Sequence, residues 1–436
     1  MTPVREATVA IVGAGMAGLI AARNLRRAGI DVVVLESAGR VGGRVLSETS
    51  ALGSRLDLGG QWIGHGHHRF ERLAKELGET VFPMHTPKRP VMVEGAASVS
   101  GSGATMANLA LAVWELRAKL GAPAKWEHTT VGQWIAKSPG RRSRRVLEAL
   151  VAASTCADLD RLTMHAFAST IRHQGGLATM MATKGGAQDS LLVEGAGTLA
   201  ERLAADLGTR VRTECQVTAV RSAAEGVTVE TLEGVFRARK AIVTAPPPTA
   251  ARIAFDPPLP AARARLGKNM YLGSVYKAIA VYDRPFWRER HREAELVVLG
   301  KPASATFDTS PPGGPGHLCV LVGGREARDL DALAPAERRE LVLGPLAARL
   351  GGEVLSPASF HEKAWHLDEH AGGGYAALPA PGSRAGYYPI PADPVRHVHW
   401  AGTETAAEHA GYIEGAIESG QRAAREVAAA LGTGGS

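Results

Sequence analysis

The amino-acid sequence predicts a mixed α/β and α+β architecture, with a Rossmann-like dinucleotide-binding domain interleaved with a second domain of mixed sheet and helices. Three observations carry that prediction. The chain opens on a β-branched strand (Ala7–Val12), a glycine-rich turn, a helical stretch (Leu19–Ala28) and a second strand, Asp31–Glu36. From about residue 82 to 192 the pattern changes to helical periodicity, with Ala-rich stretches at Met106–Leu120 and Val146–Ala157. Strand signals then return at Val211–Val220, Val227–Thr231 and Lys240–Thr244, and the chain closes on a strand, His397–Trp400, a Gly-Thr turn and a helix from Ile413 to Ala430.

Nucleotide-type features therefore fall in separated blocks. They predict a discontinuous cofactor domain from residues 1–81, 193–266 and 368–436, and a substrate domain from 82–192 and 267–367. Two domains suit a chain of 436 residues, which is long for a single core. Pro, Gly and charge mark Arg284–Glu295 and Ser310–Gly316 as loops.

Composition excludes several function classes. The hydrophobic fraction of 45% with 21% charged residues is that of a globular protein. Apolar runs are short, well below the roughly 20 residues that span a bilayer. With no secretory or lipidation signal, the expected location is the cytoplasm. The net charge of +7 comes mostly from dispersed Arg. Its densest run, Arg141-Arg142-Ser143-Arg144-Arg145, lacks interleaved aromatics and predicts a solvated helix face rather than a nucleic-acid track. Cys156, Cys215 and Cys319 are far apart, which gives neither a disulfide framework nor a metal spacing. His65, His67 and His68, and the pair His366 and His370, lack a completing set of ligands, so no metal is expected. No Gly-x-Ser-x-Gly element points to a hydrolase.

The chemistry-bearing phrase begins at Gly13-Ala14-Gly15-Met16-Ala17-Gly18. Gly13 permits the tight turn, Gly15 lets backbone approach a pyrophosphate, and Gly18 lets the helix pack on the strand. Met16 and Ala17 lie within this phrase, just ahead of the helix whose N-terminus attracts the anion. Glu36, with Ser37 beside it, ends the next strand, where a carboxylate accepts from ribose hydroxyls. Arg40-Val41-Gly42-Gly43-Arg44 follows; Gly43 and Arg44 offer a second anion contact, bidentate through the guanidinium. A nicotinamide enzyme does not need this element, so FAD is the expected cofactor.

This extended phrase resembles the fingerprint of glutathione-reductase-like flavoproteins, and three further blocks resemble the flavin amine oxidase (monoamine oxidase) family in particular. They are Asp57–Gly64, Gly372–Gly382, and Ala401–Thr405 with His409–Ala416. The likeness runs from residue 7 to residue 428. It implies a site in which Gly59, Gly60, Gln61, Trp62, Val217, Trp365, Gly402, Thr403, Glu404, Gly411, Tyr412 and Ile413 meet the FAD. It implies Tyr375 and Tyr412 flanking the substrate amine, Gln188 in the substrate cavity, and Lys277 at the flavin. It further implies a small-molecule amine as substrate, O2 as acceptor with H2O2 released, and a homodimer as one possible assembly. Two positions depart from the family. Gly374 stands where covalent members carry the flavin-linking cysteine, so the FAD is expected to be noncovalent. Ala38 replaces an Arg near the adenosine, a role that Arg40 can cover in part.

Two of these readings have their own physics. Lys277 shares a strand face with Val275, Ile279 and Val281, and a lysine buried there must be partnered or partly deprotonated. The helix that follows Tyr412 would stabilise negative charge developing on the reduced flavin. Rival readings stay open. One is amino-acid oxidation or desaturation on the same scaffold, with Arg172 a candidate for a substrate carboxylate. The other is a flavin-containing binding or regulatory module.

Overall fold

The computed structural model describes residues 4–86, 90–99, 102–290, 292–383 and 389–432. The strand Val4–Val12 runs parallel to both Val32–Leu35 and Gly234–Val243, and Val9–Val12, Val32–Leu35 and Ala241–Val243 are buried. The three strands form the centre of an eight-stranded mixed sheet. Val227–Thr231 and Val217–Ser222 add antiparallel neighbours on one side, and Val398–Trp400 joins Gly234–Val243 in parallel.

The expected single strand Val211–Val220 is two strands. Val211–Arg212 pairs with Val32–Leu35 at one edge, while Val217–Ser222 lies on the far side of the sheet. The break falls at Glu214, whose φ of +55° no strand accommodates.

Helices Met16–Arg27, Ala196–Leu207 and Ile413–Ala430 bury apolar faces in one cluster against this sheet. Met16–Arg27 and Ile413–Ala430 cross closely because Gly420 has no side chain: a Cβ there would lie 2.4 Å from the Ala17 carbonyl. The helix is thereby fixed at its first turn, where the glycine phrase ends.

A second, seven-stranded sheet runs in the order Ser359–Ala364, Val275–Tyr282, Gly316–Gly323, Ser304–Asp308, Leu296–Val298, Val91–Glu94, Ala97–Ser98. Strand Val275–Tyr282 is buried on both faces. Tyr276, Ala278, Ala280 and Tyr282 pack with the helix Pro335–Leu350, whereas Val275, Ile279 and Val281 face Phe307 and Trp365. Period-2 alternation places Lys277 on the latter face, as expected.

Above it lies a helical layer, Ser102–Leu120, Val131–Ala136, Arg141–Thr155 and Met164–His173, centred on Trp114 and Phe167 at 5.1 Å. The Arg141–Arg145 run opens one of these helices, but it is not wholly solvated. Arg145 pairs with Glu326 and donates to the Leu299 carbonyl, tying the helix to the second sheet. The loop expected at Arg284–Glu295 contains a short helix, Phe286–Glu289, stapled by the buried Trp287. No helix among the described residues is long and apolar enough to cross a membrane.

Candidate active site

One continuous cleft takes its walls from both sheets and the helical layer. At one end Gly13 has φ +103°, and a Cβ there would lie 2.5 Å from Thr244 Oγ1. A Cβ on Gly18 would lie 2.0 Å from the Gly13 carbonyl, so turn and helix touch backbone to backbone. Gly15 caps the helix with extended backbone and no side-chain bond, and a Cβ there would meet nothing nearer than 4.0 Å. The first N–H groups of the helix therefore open on the cleft, which Gly15, Met16 and Ala17 line.

Beside them the Glu36 carboxylate accepts from the Ala14 N–H at 2.7 Å, the Ala38 N–H at 2.9 Å and the Ser37 hydroxyl at 3.3 Å. These bonds hold it at the cleft wall together with Ser37. Arg40 also lines the cleft, braced by the Gly43 carbonyl at 2.8 Å and stacked 5.5 Å from the Trp365 ring. Val217 lies nearby in the same wall.

Arg44 differs from expectation. Its guanidinium binds a carboxylate bidentately, Glu404 at 2.7 and 3.1 Å, and donates to the Tyr375 carbonyl at 2.8 Å. It lines the cleft but spends its fork on protein, fastening the glycine-pair loop to two distant blocks. Burial pulls the Glu404 carboxyl upward, but the charge and hydrogen bonds of Arg44 and the Ala377 N–H hold it below the ordinary range.

At the other end Lys277 is 2% exposed. Its Nζ donates to the Gly59 carbonyl at 2.8 Å and to Gln61 Oε1 at 2.5 Å, and lies 5.4 Å from the Trp62 ring centroid. Burial lowers its pKa, against the weaker pull of Asp57. Gln61 Nε2 is buried beside the Cys319 thiol, with no nitrogen or oxygen partner among the described residues. Tyr375 donates to the Ala153 carbonyl at 3.2 Å, and Tyr412 to Gln174 Oε1 at 3.4 Å. Burial raises both phenols, so both stay neutral. Gly402, Thr403, Gly411, Tyr412 and Ile413 line the wall where the terminal helix begins, and Tyr412 leaves that end without a side-chain cap. Glu414, in the first turn, is turned away and bound to Arg69 at 3.0 Å and the Phe70 N–H at 2.8 Å.

Of the expected site residues, the cleft collects all but two. Gly18 acts behind the wall by packing, and Glu404 through Arg44. Gln188 lines the cleft. His65, His67 and His68 do not. His67 is buried behind Tyr412, ring centroids 5.0 Å apart, with Nδ1 accepting from the Gly64 N–H at 2.9 Å. Burial and the neighbouring His409 bring its pKa down to about 3, so it is neutral. Arg172 also lies off the cleft, donating to the Ala118 carbonyl. His366 sits in a 3-10 turn, paired with Asp331 at 2.9 Å, not on a helix with His370. Among the described residues no group of His, Cys, Asp or Glu could hold a metal. Sequence reasoning missed Gln174, which orients Tyr412, and the buried pair Thr183 and Glu295. Neither carries a local signal.

The uncapped helix at Gly15, the tethered Glu36 and the buried Gln61 amide fit a dinucleotide carrying a polar ring system. Fold and cleft together define a flavin-dependent oxidoreductase. Residues 16–428 match the family described as flavin containing amine oxidoreductase, and the chain belongs to it. A Mycobacterium tuberculosis protein provisionally named flavin-containing monoamine oxidase AofH is 37% identical over 97% of both chains. Human amine oxidase [flavin-containing] B is 32% identical, over 97% of this chain and 86% of its own. Among solved structures, cyclohexylamine oxidase from Brevibacterium oxydans IH-35A superposes with TM-score 0.92 at 28% identity, covering 98% of this chain and 99% of its own. Putrescine oxidase bound to putrescine gives TM-score 0.88 at 27% identity, over 98% and 100%. The protein is thus an oxidoreductase that acts on amines with FAD as cofactor.

Proposed function

We propose that the substrate binds as a neutral amine between Tyr375 and Tyr412 and leaves as an imine, which hydrolyses to a carbonyl compound and an amine. The observation that carries this is the convergence of Lys277, Tyr375 and Tyr412, from three separate segments, on one cleft that also holds the open helix end and Glu36. Bound FAD would supply the two-electron acceptor for a hydride equivalent from the amine α-carbon, with O2 as final acceptor and H2O2 as its product.

The chain supplies the rest. The helix end at Gly15 and Glu36 would hold the dinucleotide, in a domain made of residues 1–81, 193–266 and 368–436. The ring faces of Tyr375 and Tyr412, held by their hydroxyl bonds, offer negative surfaces to the amine. Lys277, its ammonium disfavoured by burial, can release and regain a proton at Nζ and so assist turnover with oxygen. The terminal helix N-terminus, uncapped at the cleft wall, would favour negative charge developing on a ring system bound there.

Attachment is noncovalent: Gly374 has no thiol, and Cys156, Cys215 and Cys319 are buried and free and do not line the cleft. Free thiols also suit a cytoplasmic setting. Amino-acid oxidation is disfavoured because Arg172 lies off the cleft and Arg44 is already bonded to Glu404. A peroxide-coupled screen of primary, secondary and polyamine substrates tests the proposal. Peroxide released with at least one amine supports it, and silence across all classes overturns it.

A further inference from the structure

Glu295 lies where amine oxidation at Lys277 has no use for it. The residues Lys277, Leu321, Ala305 and Val297 are successive register partners across four adjacent strands, and all four line the cleft. They form its floor. Strands lie about 4.8 Å apart, so three steps carry the floor roughly 14 Å from Lys277.

Glu295 precedes Val297 by two residues, and alternation returns its side chain to the same face. It lines the cleft, is 1% exposed, and its carbonyl accepts from the Val91 N–H at 2.9 Å. Met180, Gln188 and Val297 line the same cleft. The two carboxyl oxygens share one hydroxyl, that of Thr183, at 2.8 and 3.0 Å. Among the described residues no cationic side chain pairs with it. A buried carboxylate with one neutral donor is costly, and a charged partner entering the cleft would relieve that cost.

We propose that Glu295 is the subsite for a second, cationic nitrogen of the substrate, so that the preferred substrates are diamines or longer polyamines. The reacting nitrogen lies toward Lys277 and the tyrosines, and the far nitrogen, still protonated, pairs with Glu295. This rests on the Lys277 end being the place of amine oxidation. Burial, reinforced by Glu293 and only partly offset by the Thr183 bond, lifts the free carboxyl to about 7; an ammonium would draw it back to its ionised form.

The test compares kcat/KM of the holoenzyme for α,ω-diamines with that for n-alkyl monoamines of the same carbon count. At its best chain length the diamine should exceed the monoamine at least about tenfold. Glu295→Gln, near-isosteric and still able to meet Thr183, should cut that ratio about tenfold to a hundredfold, through KM. Calorimetric binding of the same diamine to anaerobic, reduced holoenzyme should weaken by a similar factor. If monoamines turn over but diamines are never preferred, or if Glu295→Gln leaves the ratio and the binding unmoved, the subsite is refuted and amine oxidation stands. If no amine of either kind turns over, both fall.

Discussion

Replacing Glu404 by Gln tests how the cleft is held together. The Arg44 fork makes two bonds to Glu404 and one to the Tyr375 carbonyl, and Glu404 in turn accepts from the Ala377 N–H at 3.1 Å. A glutamine keeps one acceptor oxygen and nearly the same volume, so the perturbation is loss of charge. Breaking a fully buried pair costs about 3–5 kcal/mol. Arg44 retains 24% side-chain exposure, so water relieves part of this, and we expect about 2 kcal/mol. With a urea m-value of about 3 kcal/mol/M, the midpoint should fall by about 0.7 M. The assay is urea unfolding of the flavin-loaded protein followed by circular dichroism and flavin release. A double-mutant cycle with Arg44→Met should show coupling above about 1 kcal/mol. A midpoint shift under about 0.2 M, or additive single effects, would refute Arg44 as the fastener of the three segments.

Gly18→Ala should weaken FAD retention at least about tenfold, because the added methyl collides with the Gly13 carbonyl and moves the helix end. The flavin-to-protein ratio after dialysis reads this, and an unchanged ratio contradicts it. Lys277→Met should keep the flavin and its reduction by amine but slow reoxidation by O2 about tenfold or more; stopped-flow oxygen kinetics equal to the parent enzyme would remove that role. Glu295 makes stability pH-dependent. Its folded pKa of about 7 exceeds the ordinary 4.5, so the folded state binds more protons between these values and stability falls as pH rises through them. In Glu295→Gln this contribution is gone, and the loss of melting temperature from about pH 5 to pH 8 should be smaller than in the parent. Parallel melting curves would contradict the assignment.

The parts legible in the sequence were those set by local covalent rules. Gly13 and Gly18 announce a turn and a close approach that a side chain would block, and alternation along Val275–Tyr282 is enough to give Lys277 its face. What the sequence hid is pairing at a distance. Arg44 reads as an anion ligand until Glu404, 360 positions on, occupies its fork. Thr183 and Glu295 are 112 positions apart and acquire meaning only when the sheet brings Glu295 onto the cavity floor. His65, His67 and His68 read as a cluster without a completing ligand set, and His67 turns inward behind Tyr412, where the Gly64 N–H claims its ring. The split of Val211–Val220 follows from Glu214, whose left-handed backbone no propensity scale reports.

The central claim is that this one cleft brings an amine to FAD in the reach of Lys277, Tyr375 and Tyr412. Its most direct test is anaerobic titration of the purified yellow protein with amines, watching the visible absorbance of the oxidised flavin. The account predicts that an amine bleaches the flavin stoichiometrically and that admitting oxygen restores the colour with release of peroxide. A flavin that stays oxidised under every amine offered would contradict it.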